Sequence, residues 1–196
     1  MNYKDLKDTH REYLEKSNWE RDYANSIKRR DVRGNLKDTE EKEVSAVISN
    51  FLNKWRCHIP YIRAPEICKA LKQADRFFDL LRNKKLETID FEEMVNVDGK
   101  ALKTQEIVSN IFRIIYPTVA PAVGEGAYTA ISKIMHMVNP ELFPMWDGRI
   151  RRKYGFYGNT EGYLLFVLKM QSMIKGVIRD YCEKHRIGMK EERRNL

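Results

Sequence analysis

Six apolar residues between Glu41 and Trp55 (Val44, Val47, Ile48, Phe51, Leu52 and Trp55) recur at i, i+3, i+4, i+7, i+8 and i+11. That spacing gathers them on one stripe of an α-helix and scatters them over both faces of a strand. The pattern returns along the chain. Pro65 opens a second expected helix, since proline is favoured in a first turn, and Ile67, Cys68, Leu71, Ala74, Phe77, Phe78 and Leu81 form its stripe. A third is expected over about 103–115 through Ile107, Val108, Ile111, Phe112 and Ile115, with Pro117 as its stop. A fourth spans Ala127 to Val138 and ends at Asn139-Pro140. A basic fifth follows Asp147 and is broken by Gly155 to Gly158. Thr160 is the expected N-cap of the last helix, whose core face runs through Leu164, Phe166, Val167, Met170, Ile174, Val177, Ile178 and Tyr181. Residues 84–100 read as an irregular link ending at the turn signal Asp98-Gly99. No segment shows a convincing set of alternating strand positions. The expected fold class is therefore all-α, a helical bundle with short connections.

A length of 196 residues favours one domain, and 42% hydrophobic residues suffice for a core. Residues 1–42 read as a charged arm or helix, with Tyr3, Leu6, Tyr13, Leu14, Trp19 and Tyr23 as scattered anchors and Gly34 as a break. Residues 43–186 read as a single helical domain with a hairpin at 121–130, and 187–196 as a charged tail. No apolar run approaches the roughly 20 residues of a membrane helix, and Met1 to Asp5 shows no apolar signal-peptide core. Cys57, Cys68 and Cys182 fit no zinc spacing and are too few for a four-thiolate cluster, so reduced thiols and a cytoplasmic location are expected. The net charge of +8 points to polyanionic partners, nucleic acid before anionic membrane. No P-loop, hydrolase triad or metal-ligand cluster is visible, so no cofactor and no metal is expected.

The residues with most chemical content are Gly124-Glu125-Gly126-Ala127-Tyr128-Thr129-Ala130 and Trp146-Asp147-Gly148-Arg149-Ile150-Arg151-Arg152. Gly124 and Gly126 can take positive φ and admit another backbone. Successive amides in such a turn, beside a helix N-terminus, form a concavity for an anion. A phosphodiester is the natural guest in a basic protein. Asp147 is either a helix cap or a reactive carboxylate near that cradle. His136 is either a packed histidine or a pocket residue, and Trp146 is either core or a stacking face. Arg149, Arg151, Arg152 and Lys153 are either a solvated helix face or phosphate contacts.

Together these segments resemble the hairpin G-V-G-x-[K/S/T]-T-A and the following L-D-G-N-V-x-R of the helix-hairpin-helix DNA glycosylase superfamily. Pro121 stands where that family often has a proline, and Tyr128 and Asp147 are 19 residues apart, close to the family separation. The resemblance covers about residues 117–155. It implies a two-lobed helical fold with a cleft between lobes, duplex DNA as partner, and Asp147 as the catalytic carboxylate. It implies DNA contacts from Gly124, Gly126, Ala127, Tyr128, Arg149, Arg151, Arg152 and Lys153, and a base pocket lined by Tyr128, His136 and Trp146. The chain departs from the pattern at Glu125, where an apolar residue is usual. It departs again at Tyr128, the position of the lyase lysine in bifunctional members, so base excision without strand cleavage is implied. Lys133 lies on another turn of the same helix and is not assigned as a nucleophile. Two other readings stay open: a DNA-binding protein of this fold without catalysis, and a helical structural or regulatory protein.

Overall fold

A computed structural model describes residues 2–5, 7–8, 11, 23–25 and 36–185. The anchors Leu6, Tyr13, Leu14 and Trp19, the break at Gly34 and the tail 187–196 lie outside the described residues. Over the described residues the chain is mostly helical, with one two-stranded sheet. The elements used below are α1 (Glu41–Val47), α2 (Ala64–Leu81), β1 (Met94–Val97), β2 (Lys100–Lys103), α3 (Thr104–Val123), α4 (Ala127–Val138), α5 (Gly148–Tyr154) and α6 (Thr160–His185).

The periodic stripes face the core as their spacing requires. α1 starts with the Glu43 carboxylate accepting from the Glu40 N–H at 2.8 Å, and it widens into a π-turn over Ile48–Leu52. Val44, Ile48, Phe51 and Leu52 are buried. α2 carries Pro65 in its first turn, where a missing N–H leaves no bond unmade. α3 is the central helix and packs on α2, α4 and α6. Its residues Ile107, Val108, Ile111, Phe112, Ile115 and Val119 have no exposed surface.

Three expectations are corrected. Pro117 does not stop α3; the helix continues to Val123 with Pro117 and Pro121 inside it. Both prolines are exposed and sit four residues apart, on one solvent-facing stripe. The N–H groups the prolines lack are therefore missing from the side that faces solvent, while Val119 is buried in the core. The link 84–100 is not wholly irregular: β1 and β2 pair antiparallel from Met94↔Lys103 to Val97↔Lys100. Asp98 and Gly99, with φ of 50° and 82°, form the two-residue turn, and positive φ at both places is what a type I′ hairpin turn needs. Finally, Asn159 caps α6 through Oδ1, which accepts from the Gly162 N–H at 2.7 Å, and Thr160 is the first helical residue.

By length and composition alone, the stretch Thr104–Val138 is long and apolar enough to cross a membrane. Here it is two core helices separated by the turn Gly124–Gly126. The described parts of the arm touch the body. The Tyr3 N–H donates to Asp180 Oδ2 at 2.8 Å, and the Tyr23 hydroxyl lies 2.6 Å from His136 Nε2. Leu36 is already buried, and its N–H donates to the fully buried Asp75 carboxylate at 2.9 Å.

Candidate nucleic-acid site

The turn between α3 and α4 is built by one glycine. Gly124 has φ 56° and ψ −128°, a conformation open to residues without a Cβ. Gly126 has φ −73°, so its backbone alone does not demand glycine. α4 leaves the turn with Ala127, Ala130 and Ile131 buried against α3.

α5 starts one short loop later. Asp147 Oδ1 accepts from the N–H groups of Arg149 and Ile150, each at 2.8 Å, so Asp147 is the N-cap of that helix. Asp147 Oδ2 makes no hydrogen bond to a described residue. Gly155, in the left-handed region at φ 72°, ends α5.

These segments meet at an open cleft of about 370 Å³. One wall is Val123, Glu125, Gly126 and Thr129 from the turn and the start of α4. The second is Gly148, next to Asp147, with Arg151. The third is the segment Arg56-Cys57-His58, which follows α1. Charge is uneven around it: Arg56, His58 and Arg151 share the lining with Glu125, which is exposed.

The expected site residues divide by environment. Gly126 and Arg151 line the cleft, and Gly124 is exposed on the turn. Arg149, Arg152 and Lys153 are exposed along α5. Ala127 is fully buried and can offer backbone only. The expected base pocket does not open as such. Trp146 is 1% exposed, stacked on Phe166 and edge-on to Tyr163, and its Nε1 donates to the Tyr128 carbonyl at 3.1 Å. The Tyr128 ring packs on Phe112 and Tyr116, and burial with the Tyr116 hydroxyl nearby pushes its hydroxyl pKa up. His136 is 7% exposed; its Nδ1 donates to the Phe143 carbonyl at 2.6 Å, since a carbonyl can only accept, and its Nε2 meets Tyr23. These three aromatic residues hold the bundle together instead of forming an open slot. The reason is their position, Tyr128 and His136 on α4 and Trp146 packed against Phe166 of α6, where area buried outweighs a polar edge.

Arg56, His58 and Lys133 carry no sequence signal, yet they stand at or beside the cleft. Lys133 is 6% exposed, and its Nζ donates to the Trp55 carbonyl at 2.7 Å, where a cation complements the carbonyl end of α1. Cys57 is adjacent; burial pushes its thiol pKa up, and the Lys133 ammonium partly offsets this. Among the described residues no group of three His, Cys, Asp or Glu side chains is placed to hold a metal. Such a cleft can bind an anion through guanidinium and imidazole donors and can present one carboxylate beside it. No family model, curated protein or solved structure matches this chain.

Proposed function

We propose that the protein is a DNA base-excision protein of the glycosylase type, hydrolysing the N-glycosidic bond of a damaged or mismatched base without cutting the strand. The observation that carries the reading is the convergence on one cleft of the Gly-x-Gly turn, the N-terminus of α5 beside Asp147, and cationic side chains from two distant segments. A cleft of about 370 Å³ falls in the range of small-ligand pockets. A target nucleotide leaves the base stack to enter such a site. The C1′–N bond breaks with its electron pair going to the base, and positive charge develops on the sugar ring. The Asp147 carboxylate stabilises that charge and orients the water whose oxygen bonds to C1′; the water's proton leaves to the carboxylate or to solvent. Tyr128 offers no amine for a Schiff base, which is why strand cleavage is not part of the proposal.

The test is a panel of duplex and single-stranded oligonucleotides carrying uracil, 8-oxoguanine, hypoxanthine, alkylated purines or mismatches. Wild type and Asp147→Asn are compared with and without hot alkali. Asparagine caps helices as well as aspartate, so α5 is kept while the charge is lost. Excision is expected from wild type only, with alkali-dependent strand breaks and a loss of at least about 100-fold in Asp147→Asn. Equal turnover by the two proteins would overturn the role of Asp147. A second reading, DNA binding without catalysis, is favoured by the use of Asp147 Oδ1 as a cap and by Glu125 on the cleft wall. It predicts salt-sensitive binding by both proteins and excision by neither. A structural helical protein predicts no binding.

A further inference from the structure

We infer that the segment Arg56-Cys57-His58, together with Arg151, is a phosphate-binding clamp forming the wall of the cleft opposite the Gly-x-Gly turn. Its ligand class is a phosphate ester. The nucleic-acid reading above supplies the expected source, a backbone phosphate, and the test reads binding instead of excision so that the two can fail separately.

The segment follows the π-turn that extends α1 to Leu52. The Cys57 N–H donates to the Leu52 carbonyl at 2.9 Å, and the Arg56 N–H to the Asn53 carbonyl at 3.0 Å. This pair of bonds closes a helix through one left-handed residue, a place where glycine is the usual occupant. Here the residue is arginine, at φ 60°, and two positions later His58 is also left-handed, at φ 52°. Left-handed backbone is sterically unfavourable for residues with a Cβ, and it persists only where the surroundings over-determine it. They do so here. The Asn53 side chain brackets Ile59, with Nδ2 donating to its carbonyl at 2.9 Å and Oδ1 accepting from its N–H at 2.7 Å. Lys133 holds the Trp55 carbonyl from below. Cys57 is turned inward and buried, while Arg56 and His58 are exposed and line the cleft.

Arg151 completes the clamp. Its guanidinium lies 5.6 Å from the Trp146 ring centre and against Gly158, where even a Cβ would meet Nη1 at 1.8 Å. Its Nε is buried and has no hydrogen-bond partner among the described residues. A guanidinium held against an aromatic ring keeps its planar fork of N–H donors in one place, which suits a multi-oxygen anion. An arginine kept in a glycine's place, opposite a second arginine and beside a histidine, identifies phosphate ahead of an apolar or cationic guest. Among the described residues Glu125 is the one acidic side chain lining the cleft, and it is exposed.

The experiment titrates the full chain with a short labelled single-stranded oligonucleotide and with the corresponding duplex, at several salt concentrations. Thymidine monophosphate and inorganic phosphate serve as competitors. Arg56→Gly is the informative variant because glycine suits the left-handed position. Its melting temperature is expected to equal or exceed that of wild type while affinity falls about tenfold, the scale of one charged hydrogen bond. The salt slope should drop by about one. Arg151→Gln should lose a similar factor. Lys72→Gln removes the same charge from an exposed site on α2 away from the cleft and should bind close to wild type. Competition by the monophosphate or by phosphate would assign a free phosphate ester as ligand; competition by oligonucleotides alone would assign the backbone. Wild-type affinity in Arg56→Gly and Arg151→Gln, or an equal loss in Lys72→Gln, would overturn the clamp. Arg56-dependent binding without excision of any base in the panel would uphold the clamp and sink the glycosylase reading.

Discussion

Glu125 stands on the wall of a cleft that also carries Arg56, His58 and Arg151. It is exposed, so its repulsion of a phosphate is screened and small, on the order of 0.2–1 kcal/mol as for other exposed charge pairs. Glu125→Gln is therefore expected to raise affinity for an oligonucleotide about two- to fivefold at low salt, with the gain fading as salt is added. Fluorescence anisotropy at two ionic strengths checks this. A gain that does not respond to salt would mean that Glu125 acts through the shape of the turn instead of its charge. Asp147 shows why residue type alone left its role open. The same carboxylate can cap a helix with one oxygen and face a substrate with the other, and one letter in a sequence does not separate those uses.

At the scale of elements, α6 holds two glycines with opposite expected behaviour. Gly176 is exposed in mid-helix, and a Cβ there would meet nothing within 4 Å. Gly176→Ala should stabilise the protein by up to about 1 kcal/mol through helix propensity alone. A Cβ on Gly162 would sit 2.0 Å from the Tyr157 carbonyl oxygen, which is backbone and cannot swing aside. The propensity gain is the same, but the forced shift of the 155–159 loop costs about 1–3 kcal/mol or more, so Gly162→Ala should be destabilising overall. Thermal melts of the two variants decide it; stabilisation of both would show that the loop yields freely. α3 teaches a related lesson. Proline is a strong stop signal because of a lost N–H and a steric clash, yet both costs shrink when the kinked side faces water. Which side that is depends on Val119 finding a core, a fact of packing.

For the whole molecule, Asn139 joins the end of α4 to the end of α2. Its Nδ2 reaches the carbonyls of Leu81, Arg82 and Lys84 at 2.9, 3.2 and 3.1 Å, and its Oδ1 accepts from the Glu141 N–H at 3.1 Å. The residue is 7% exposed, so truncation strands polar groups away from water. Asn139→Ala is expected to cost about 2–3 kcal/mol. It should lower the urea midpoint without changing the slope, since the fold's buried surface is kept. A midpoint within error of wild type would show that water replaces the side chain at no cost.

Much of the helical framework was legible in the chain. The stripes of α1, α2 and α4 follow a 3.6-residue period, and for α4 the expected limits, Ala127 to Val138, are the observed ones. Periodicity works there because burial on one side acts on every turn alike. The four-residue strands were not legible, as they are too short for a period to register, and only their Asp98-Gly99 turn carried a local signal. The cleft was half legible: glycine at 124 and a capping aspartate at 147 follow from backbone conformation, which is local chemistry. Its third wall was not. Arg56 and His58 share the cleft with a turn nearly 70 residues away in sequence, and nothing local distinguishes them from other surface cations. Trp146 and His136 went the other way, into the interior, because neighbouring helices cover them. Sequence by itself determined which stretches form helices and where Asp98-Gly99 and Gly124 turn the backbone, but not where α3 ends. Tertiary structure decided which side chains share a cleft, since that depends on how helices pack and not on the conformational preferences of any single segment.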